Sequence, residues 1–468
     1  MAFNVVLVNP PSVNGLVLPM DARKVKRHGH KPPLGLLYLG AALGALPDVN
    51  TFLLDCQLEN LGAEEAVRRV SALKPDLVGM SAWTDFWFDI SRMLSGLKQA
   101  LPGCCICLGG PHTGIFGRES LARPEVDAIV VGDGEAPLVH LVKLLTGQAS
   151  GGHPGLYVKA DLGRPEPFQA YAELNLDALA QPNRELLPYK RYNSLVANGP
   201  VTSMVTSRGC PHRCSFCKLD FQKTVLRSAE NVVREMADIA KLGVREIEIY
   251  DDTFGTSRKR VLEICRLMRQ TDLDFSLSIR DRVSNIDAEV LAALKSVGLK
   301  RVSLGVESAS DATLRRIGKG ITVEQARRAV AAAKKLGLEV LAYFMIGLPG
   351  ETAADFERTL ALAVEMDPDY ANFSVTIPYP GTALYREALE RGLFDRDIWR
   401  EFVLDPQPDM VMPVYTAECS RQELLDLQPK ILRRFYFRPR YVLKRLSGIG
   451  NLGQLARNAS MAWEMLRG

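Results

Sequence analysis

No apolar run in this chain is long enough to cross a bilayer. The longest, Leu34 to Leu46, has about 13 residues where roughly 20 are needed. The N-terminus lacks the charged-then-apolar pattern of a secretory leader, because Asn4, Asn9 and two prolines interrupt it. A soluble, cytoplasmic protein is therefore expected. Charge of one sign is not in excess either. The net charge is +4, so there is no global case for a nucleic-acid partner, only for local basic patches. Cysteine is scarce, nine in 468 residues, which argues against a disulfide scaffold and fits a reducing compartment. No G-x-G-x-x-G follows the first apolar run, so a dinucleotide site loses its main support.

What is present is globular: 24% charged and 47% hydrophobic residues, in a chain too long for one ordinary core. Two or three domains are expected. Over residues 1–150, short apolar runs alternate with helical periods such as Ala63–Leu73 and Asp89–Leu101. The runs are Asn4–Asn9, Thr51–Asp55, Asp76–Ser81, Cys105–Gly109 and Ala128–Gly132. Near-continuous apolar strands separated by helices predict a parallel, doubly wound sheet covered on both faces. Turn residues fall at the strand ends: Asn9-Pro10-Pro11, Asp55, Ser81 to Thr84, Gly109-Gly110-Pro111-His112 and Gly132-Asp133-Gly134-Glu135. Ligands of such sheets bind beyond the carboxyl ends of the strands. Residues 151–196 read as a linker with a small hairpin near Leu156–Lys159.

A second alternation spans residues 197–395, with strands expected at Thr202–Ser207, Glu246–Asp252, Asp274–Arg280, Arg301–Glu307, Glu339–Gly347 and Tyr370–Pro378. Six β/α units in roughly 200 residues favour an open six-unit barrel over the full eight-unit one of about 250. Residues 396–468 read as a small, mostly helical region. Ser420 and Glu423 predict a helix start there, and Pro429 a kink or split. Two basic stretches stand out. Arg23 to Lys31 reads as a solvated loop. Arg433 to Tyr441 mixes arginine with aromatics; packing on the barrel is preferred there over peripheral membrane contact or an anionic substrate.

The most informative stretch is Ser207-Arg208-Gly209-Cys210-Pro211-His212-Arg213-Cys214-Ser215-Phe216-Cys217. Three thiolates spaced C-x3-C-x2-C can converge on one soft metal centre. A zinc site would need a fourth ligand, and the only near candidate, His212, is tethered too tightly between the first two cysteines. A [4Fe–4S] cube held by three thiolates leaves one iron open for chemistry.

This stretch resembles the cluster loop of the radical S-adenosylmethionine (SAM) superfamily, C-x3-C-x-aromatic-C, with Phe216 in the aromatic place. The resemblance implies that Cys210, Cys214 and Cys217 hold the cluster and that SAM chelates the open iron. Reductive cleavage then yields a 5′-deoxyadenosyl radical, fed by an external donor such as flavodoxin or ferredoxin. It also implies SAM contacts. Asp251 or Asp252 lies near the amine, Arg280 near the carboxylate or ribose, and Glu307 near the ribose or substrate. Gly347, Pro349, Gly350 and the backbone at Phe216 pass the adenine.

The first segment resembles the cobalamin-binding domain that precedes many radical SAM barrels. That implies cofactor contacts from Asn9, Pro10, Asp55, Ser81, Thr84, Gly109, Gly110, Gly132, Gly134 and Glu135. The D-x-H-x-x-G signature of a cobalt-ligating histidine is absent, so a lower face without histidine is expected. Trp83 is a candidate to cover it, with core packing the preferred alternative. Together the resemblances imply methylation of an unactivated carbon of a small-molecule, lipid, tetrapyrrole or peptide substrate. A non-methylating enzyme such as the anaerobic Mg-protoporphyrin monomethyl ester oxidative cyclase is the first alternative. A methylthiotransferase would need further N-terminal cluster cysteines, and a cobalamin sensor would not need the cysteine triad.

Overall fold

A computed structural model of the chain describes residues 2–18, 29–194, 199–218 and 223–447. The basic run Arg23–His28 and the stretch after residue 447 lie outside these. No described helix is long and apolar enough to cross a membrane.

Two six-stranded sheets carry the fold. The first holds β1 (Phe3–Asn9), β2 (Val49–Asp55), β3 (Leu77–Ser81), β4 (Cys105–Gly109), β5 (Ala128–Val130) and β6 (Leu156–Val158), in the order β2-β1-β3-β4-β5-β6. β1 to β5 are parallel. Val5 to Val8 have no exposure at all, as expected of a strand covered on both faces. The helix Ala63–Ala72 buries only the stripe Ala63, Ala66 and Val70. The connector departs from expectation. Leu156–Val158 is not a separate hairpin but runs antiparallel beside β5, with the turn before it fixed by Val131 N–H donating to the Gly155 carbonyl.

The second sheet holds β7 (Val201–Met204), β10 (Glu246–Ile249), β11 (Ser276–Arg282), β12 (Leu299–Glu307), β13 (Glu339–Ile346) and β14 (Tyr370–Val375). All neighbours are parallel, in the order β14-β13-β12-β11-β10-β7. In the chain, β7 and β10 are separated by a two-stranded antiparallel ribbon of β8 (Ser207–Arg208) and β9 (Val225–Leu226). Along β13 buried residues alternate with partly exposed ones, so one side chain in two faces the outer helices. Phe344 and Phe373 stack there, with ring centroids 5.0 Å apart.

Six strands do not close a barrel, and β14 is left as an edge. The helix Arg421–Tyr436 covers it. Gln428 Nε2 donates to the Phe373 carbonyl at 2.9 Å. The Tyr436 hydroxyl accepts from Ala371 N–H at 3.0 Å and donates to the Ala371 carbonyl at 2.8 Å. The Ser420–Glu423 capping box starts this helix as expected, but Pro429 does not split it. Leu424, Gln428, Ile431, Leu432 and Phe435 are all buried against the barrel, and that packing carries the helix across the hydrogen bond that proline lacks.

The two halves share buried contacts. Glu235 accepts from Arg184 of the connector at 2.5 Å and from Arg227, whose other contacts include the Tyr38 hydroxyl at 3.2 Å. Trp87 Nε1 donates to the Val403 carbonyl at 2.9 Å.

Candidate active site

The cysteine loop leaves the ribbon at Gly209, whose φ of +83° is a left-handed backbone that suits glycine. Three anchors fix the loop. Gly209 N–H donates to Asp252 Oδ2 at 3.0 Å, Ser215 N–H to the Ile317 carbonyl at 2.9 Å, and Leu384 N–H to the Ser215 carbonyl at 2.8 Å. Gly318 lies directly beneath it, and a Cβ there would meet the Arg213 carbonyl at 2.8 Å.

Cys210, Cys214 and Cys217 are free thiols, graded from buried to exposed. Cys217 is open to solvent on one side. Yet the protein around it, followed by the charges of Cys214, Asp252 and Cys210, pushes its thiol up to about 11. Burial first, and then neighbouring Asp252 and Cys214, also raise Cys210, against the pull of the His212 N–H and Arg282. Arg282 lies 3.7 Å from Cys214 Sγ. Three soft thiols that feel one another's charge, beside a guanidinium, suit an iron–sulfur cube. Among the described residues no three His, Cys, Asp or Glu side chains converge on a single ion.

Around the loop, the expected SAM residues divide. Asp252 is exposed, and Gly209 N–H is its one hydrogen-bond partner among the described residues. Arg280 is exposed, with its guanidinium 3.9 Å from the centre of the Tyr250 ring. Gly347 and Gly350 have φ of +79° and +82°, and Pro349 lies buried between them. The turn is held by Glu351, which accepts from Ser308 Oγ at 2.6 Å and Leu348 N–H at 3.2 Å; burial pushes its carboxyl up to about 7.

Asp251 is different. It is buried and takes Thr206 N–H at 2.6 Å, the Thr206 hydroxyl and Ser207 Oγ at 2.7 Å. Both oxygens are committed to the frame, so of the two candidates for the SAM amine only Asp252 is open. Glu307 is bound to Lys319 at 2.6 Å, both buried, with its own φ at +70°. A Cβ on Gly305 would meet Glu307 Oε1 at 2.5 Å and Lys319 Nζ at 2.7 Å, so this pair folds back over the strand. Lys319 Nζ is 5.9 Å from the Phe216 ring centre.

At the first sheet, β1 lies between β2 and β3, which places the topological switch point beside β1. Asn9, Pro10, Ser81, Gly109 and Gly110 gather there. Gly110 has φ of +92°, and a Cβ would meet the Ala82 carbonyl at 2.9 Å. Trp83 is 47% exposed, so core packing does not account for it. An exposed indole beside two glycines suits a flat macrocycle such as a corrin.

Five other residues expected here have partners within the protein. Asp55 is buried and holds Asn9 Nδ2 and the Tyr192 hydroxyl, each at 2.7 Å. Thr84 Oγ1 bonds His112 Nδ1 at 3.0 Å. That histidine is fully buried and stacked 3.9 Å from Trp87, and burial pushes its pKa down to about 3. Gly132, at φ +90°, bridges to Tyr171, whose carbonyl would lie 2.2 Å from a Cβ. Gly134 packs under Leu39, and Glu135 binds Arg208 at 2.6 Å. Arg208 also binds Asp133 at 2.9 Å. Arg208 and Asp133 stand inside the sequence motifs without a role of their own, and Arg282 and Lys319 are not singled out by the sequence at all. Nothing local pairs residues so far apart.

A groove of about 710 Å³ lies elsewhere, between the helices Ala63–Ala72 and Trp87–Ala100, lined by Val67, Phe88, Arg92 and Arg123 among others. It contains no strand-end residue and no cysteine, so the strand-end geometry, not this groove, marks the candidate site.

Known proteins match this layout. Residues 204–363 match the model of the Radical SAM superfamily, and residues 21–142 that of the B12 binding domain. The chain is 35% identical to an uncharacterized methyltransferase of Pyrococcus horikoshii over 441 residues, covering 92% of this chain and 93% of that one. It is 29% identical to the anaerobic magnesium-protoporphyrin IX monomethyl ester cyclase of Rubrivivax gelatinosus, over 87% of this chain and 74% of that one. In fold it is similar to the radical S-adenosylmethionine methyltransferase TsrM from Kitasatospora setae, solved with tryptophan and a SAM analogue. The TM-score is 0.70 at 20% identity, covering 93% of this chain and 89% of that one. A B12-binding sheet in front, an open six-stranded barrel behind and a three-cysteine loop between them give the conclusion: the chain belongs to the radical SAM superfamily, in the group whose barrel follows a B12-binding domain.

Proposed function

We propose that this protein is a cobalamin-dependent radical SAM methyltransferase acting on an unactivated carbon. One observation carries the reading. The carboxyl edge of the first sheet, where a corrin fits, is ion-paired through Asp133 and Glu135 to Arg208, two residues ahead of Cys210. Both cofactor edges therefore border one space, as a group transfer between them requires.

When bound, the [4Fe–4S] cluster supplies the electron that cleaves SAM, and cobalamin supplies the carrier for the methyl group. The chain's own residues bind and orient. Cys210, Cys214 and Cys217 hold the cluster. Asp252 keeps one oxygen on Gly209 N–H and offers the other to the SAM ammonium. Arg280, held flat by Tyr250, offers its guanidinium to the carboxylate or ribose. The Gly347–Gly350 turn and the Phe216 backbone would pass the adenine, while the side-chain positions of the two glycines are filled by Leu424 and Arg316. Asn9, Pro10, Ser81, Gly109, Gly110 and Trp83 form the corrin surface, and neighbouring His112 is fully buried against Thr84 and Trp87.

Product counting tests the reading. With cluster, cobalamin, reductant and a substrate pool, a methyltransferase forms S-adenosylhomocysteine alongside 5′-deoxyadenosine, in about equal amounts when two SAM molecules serve one turnover. The similarity to the Rubrivivax cyclase keeps one second reading, radical chemistry without methyl transfer. That reading wins if 5′-deoxyadenosine forms with almost no S-adenosylhomocysteine.

A further inference from the structure

The contact between the two halves at Arg208 is more than a surface ion pair. Arg208 Nη2 meets Glu135 Oε1 at 2.6 Å, Nη1 meets Glu135 Oε2 at 3.3 Å and Asp133 Oδ1 at 2.9 Å, and the guanidinium lies 5.2 Å from the Tyr38 ring centre. The side chains of Arg208, Asp133 and Glu135 are only 19%, 14% and 8% exposed. Bidentate geometry at this depth places the contact outside the class of weak surface pairs.

Both ends are also stiff. On the barrel side, Arg208 is paired with Val225 in the ribbon, Ser207 Oγ is held by Asp251, and Gly209 N–H by Asp252. On the first-domain side, Gly132 is wedged against Tyr171, and Asp133 Oδ2 also accepts Glu173 N–H at 2.8 Å. Only Arg208 and Gly209 separate the ion pair of the Gly132–Glu135 turn from Cys210, and each is hydrogen-bonded within the barrel half.

We infer that Asp133, Glu135 and Arg208 form a clasp that couples occupancy of the corrin edge to the order of the cysteine loop. They are positioning residues: none touches a reacting atom, and each acts through the loop. The inference rests on the functional reading above and adds to it a physical link between the two cofactor sites. Such a link is reciprocal: whatever the bound corrin contributes to holding the loop, the loaded loop contributes to holding the corrin.

The test uses the full chain with its cluster reconstituted. Release of iron to a bathophenanthroline chelator is timed with and without bound hydroxocobalamin. Hydroxocobalamin is expected to slow release about tenfold, within the roughly 5- to 150-fold range of ordinary coupling between sites. Arg208→Met should abolish that protection. So should Asp133→Asn combined with Glu135→Gln, and all three changes together should cost no more than either set, because they break one device. Arg208→Lys keeps the charge but not the fork and should retain part of the protection. If Arg208→Met does not fold, the lysine and carboxamide variants carry the test. Full protection in the variants, strictly additive losses, or a wild type that binds both cofactors without protection would each overturn the clasp. A wild type that takes up neither cofactor overturns the functional reading itself.

Discussion

The two sheets are built alike and use their carboxyl ends differently. Both are parallel, both bury apolar strands under helices, and both gather polar residues where strands run out. In the first sheet most of those polar groups are turned inward. Asp55 fastens the connector through Tyr192, Thr84 fastens His112, and Asp133 and Glu135 fasten the other half of the molecule. In the second sheet Asp252, Arg280 and Cys217 stay open, while Asp251, Asp281, Glu307 and Glu351 are committed to the frame. The first edge is thus a surface shaped by glycine and an indole, suited to a broad neutral ring. The second is a set of charged and soft ligands, suited to a cluster and a zwitterion.

Replacing any one of Cys210, Cys214 or Cys217 with alanine should give the largest effect: loss of nearly all bound iron and of detectable 5′-deoxyadenosine, with the circular dichroism spectrum unchanged. A cysteine variant that kept its iron would erase the distinction between the two edges.

The adjacent aspartates sharpen it next. Asp251→Ala removes the acceptor for three buried donors and should lower stability by about 3 kcal/mol, read by denaturant unfolding. Asp252→Ala should leave the unfolding midpoint within about 0.5 kcal/mol and raise the SAM concentration needed for half-maximal cleavage about tenfold or more. The opposite pattern would mean that the framework and ligand roles are exchanged.

A pH dependence is also expected from the first sheet. Buried His112 resists protonation down to about 3, whereas in the unfolded chain it takes a proton near 6.5. Its folded pKa is depressed, so the stability tied to keeping it neutral is present above about 6.5 and declines as the pH falls. The slope is about 1.4 kcal/mol per pH unit from this group. His112→Phe, which keeps a ring against Trp87, should flatten the fall in thermal midpoint between about pH 6.5 and 4.5. An unaltered slope would mean the imidazole takes up its proton without leaving its stack.

What could be read from the chain beforehand follows the range of each interaction. Cys210 to Cys217 declare themselves because the ligand chemistry is written within eight neighbouring positions. The strands of both sheets are legible because burial on two faces leaves near-continuous apolar runs, as at Val5 to Val8. Asp55, Thr84 and Glu135 stand at the expected strand ends, but their partners within the protein are not legible from the sequence. Their actual partners lie 137, 28 and 73 positions away, at Tyr192, His112 and Arg208. A polar residue at a strand end has two uses, and only the folded neighbourhood tells them apart. Pro429 follows a related logic: local propensity argues for a kink or split, and the helix Arg421–Tyr436, with five residues buried, runs through it unsplit.

The covering of β14 bears on how the chain can be shortened. Gln428 and Tyr436 occupy the row of backbone groups that a seventh strand would otherwise take. A version ending before Arg421 would carry a raw sheet margin, ready to zip onto its own copies. Its first symptom would be turbidity in the tube, with every cysteine of the cluster loop still in place.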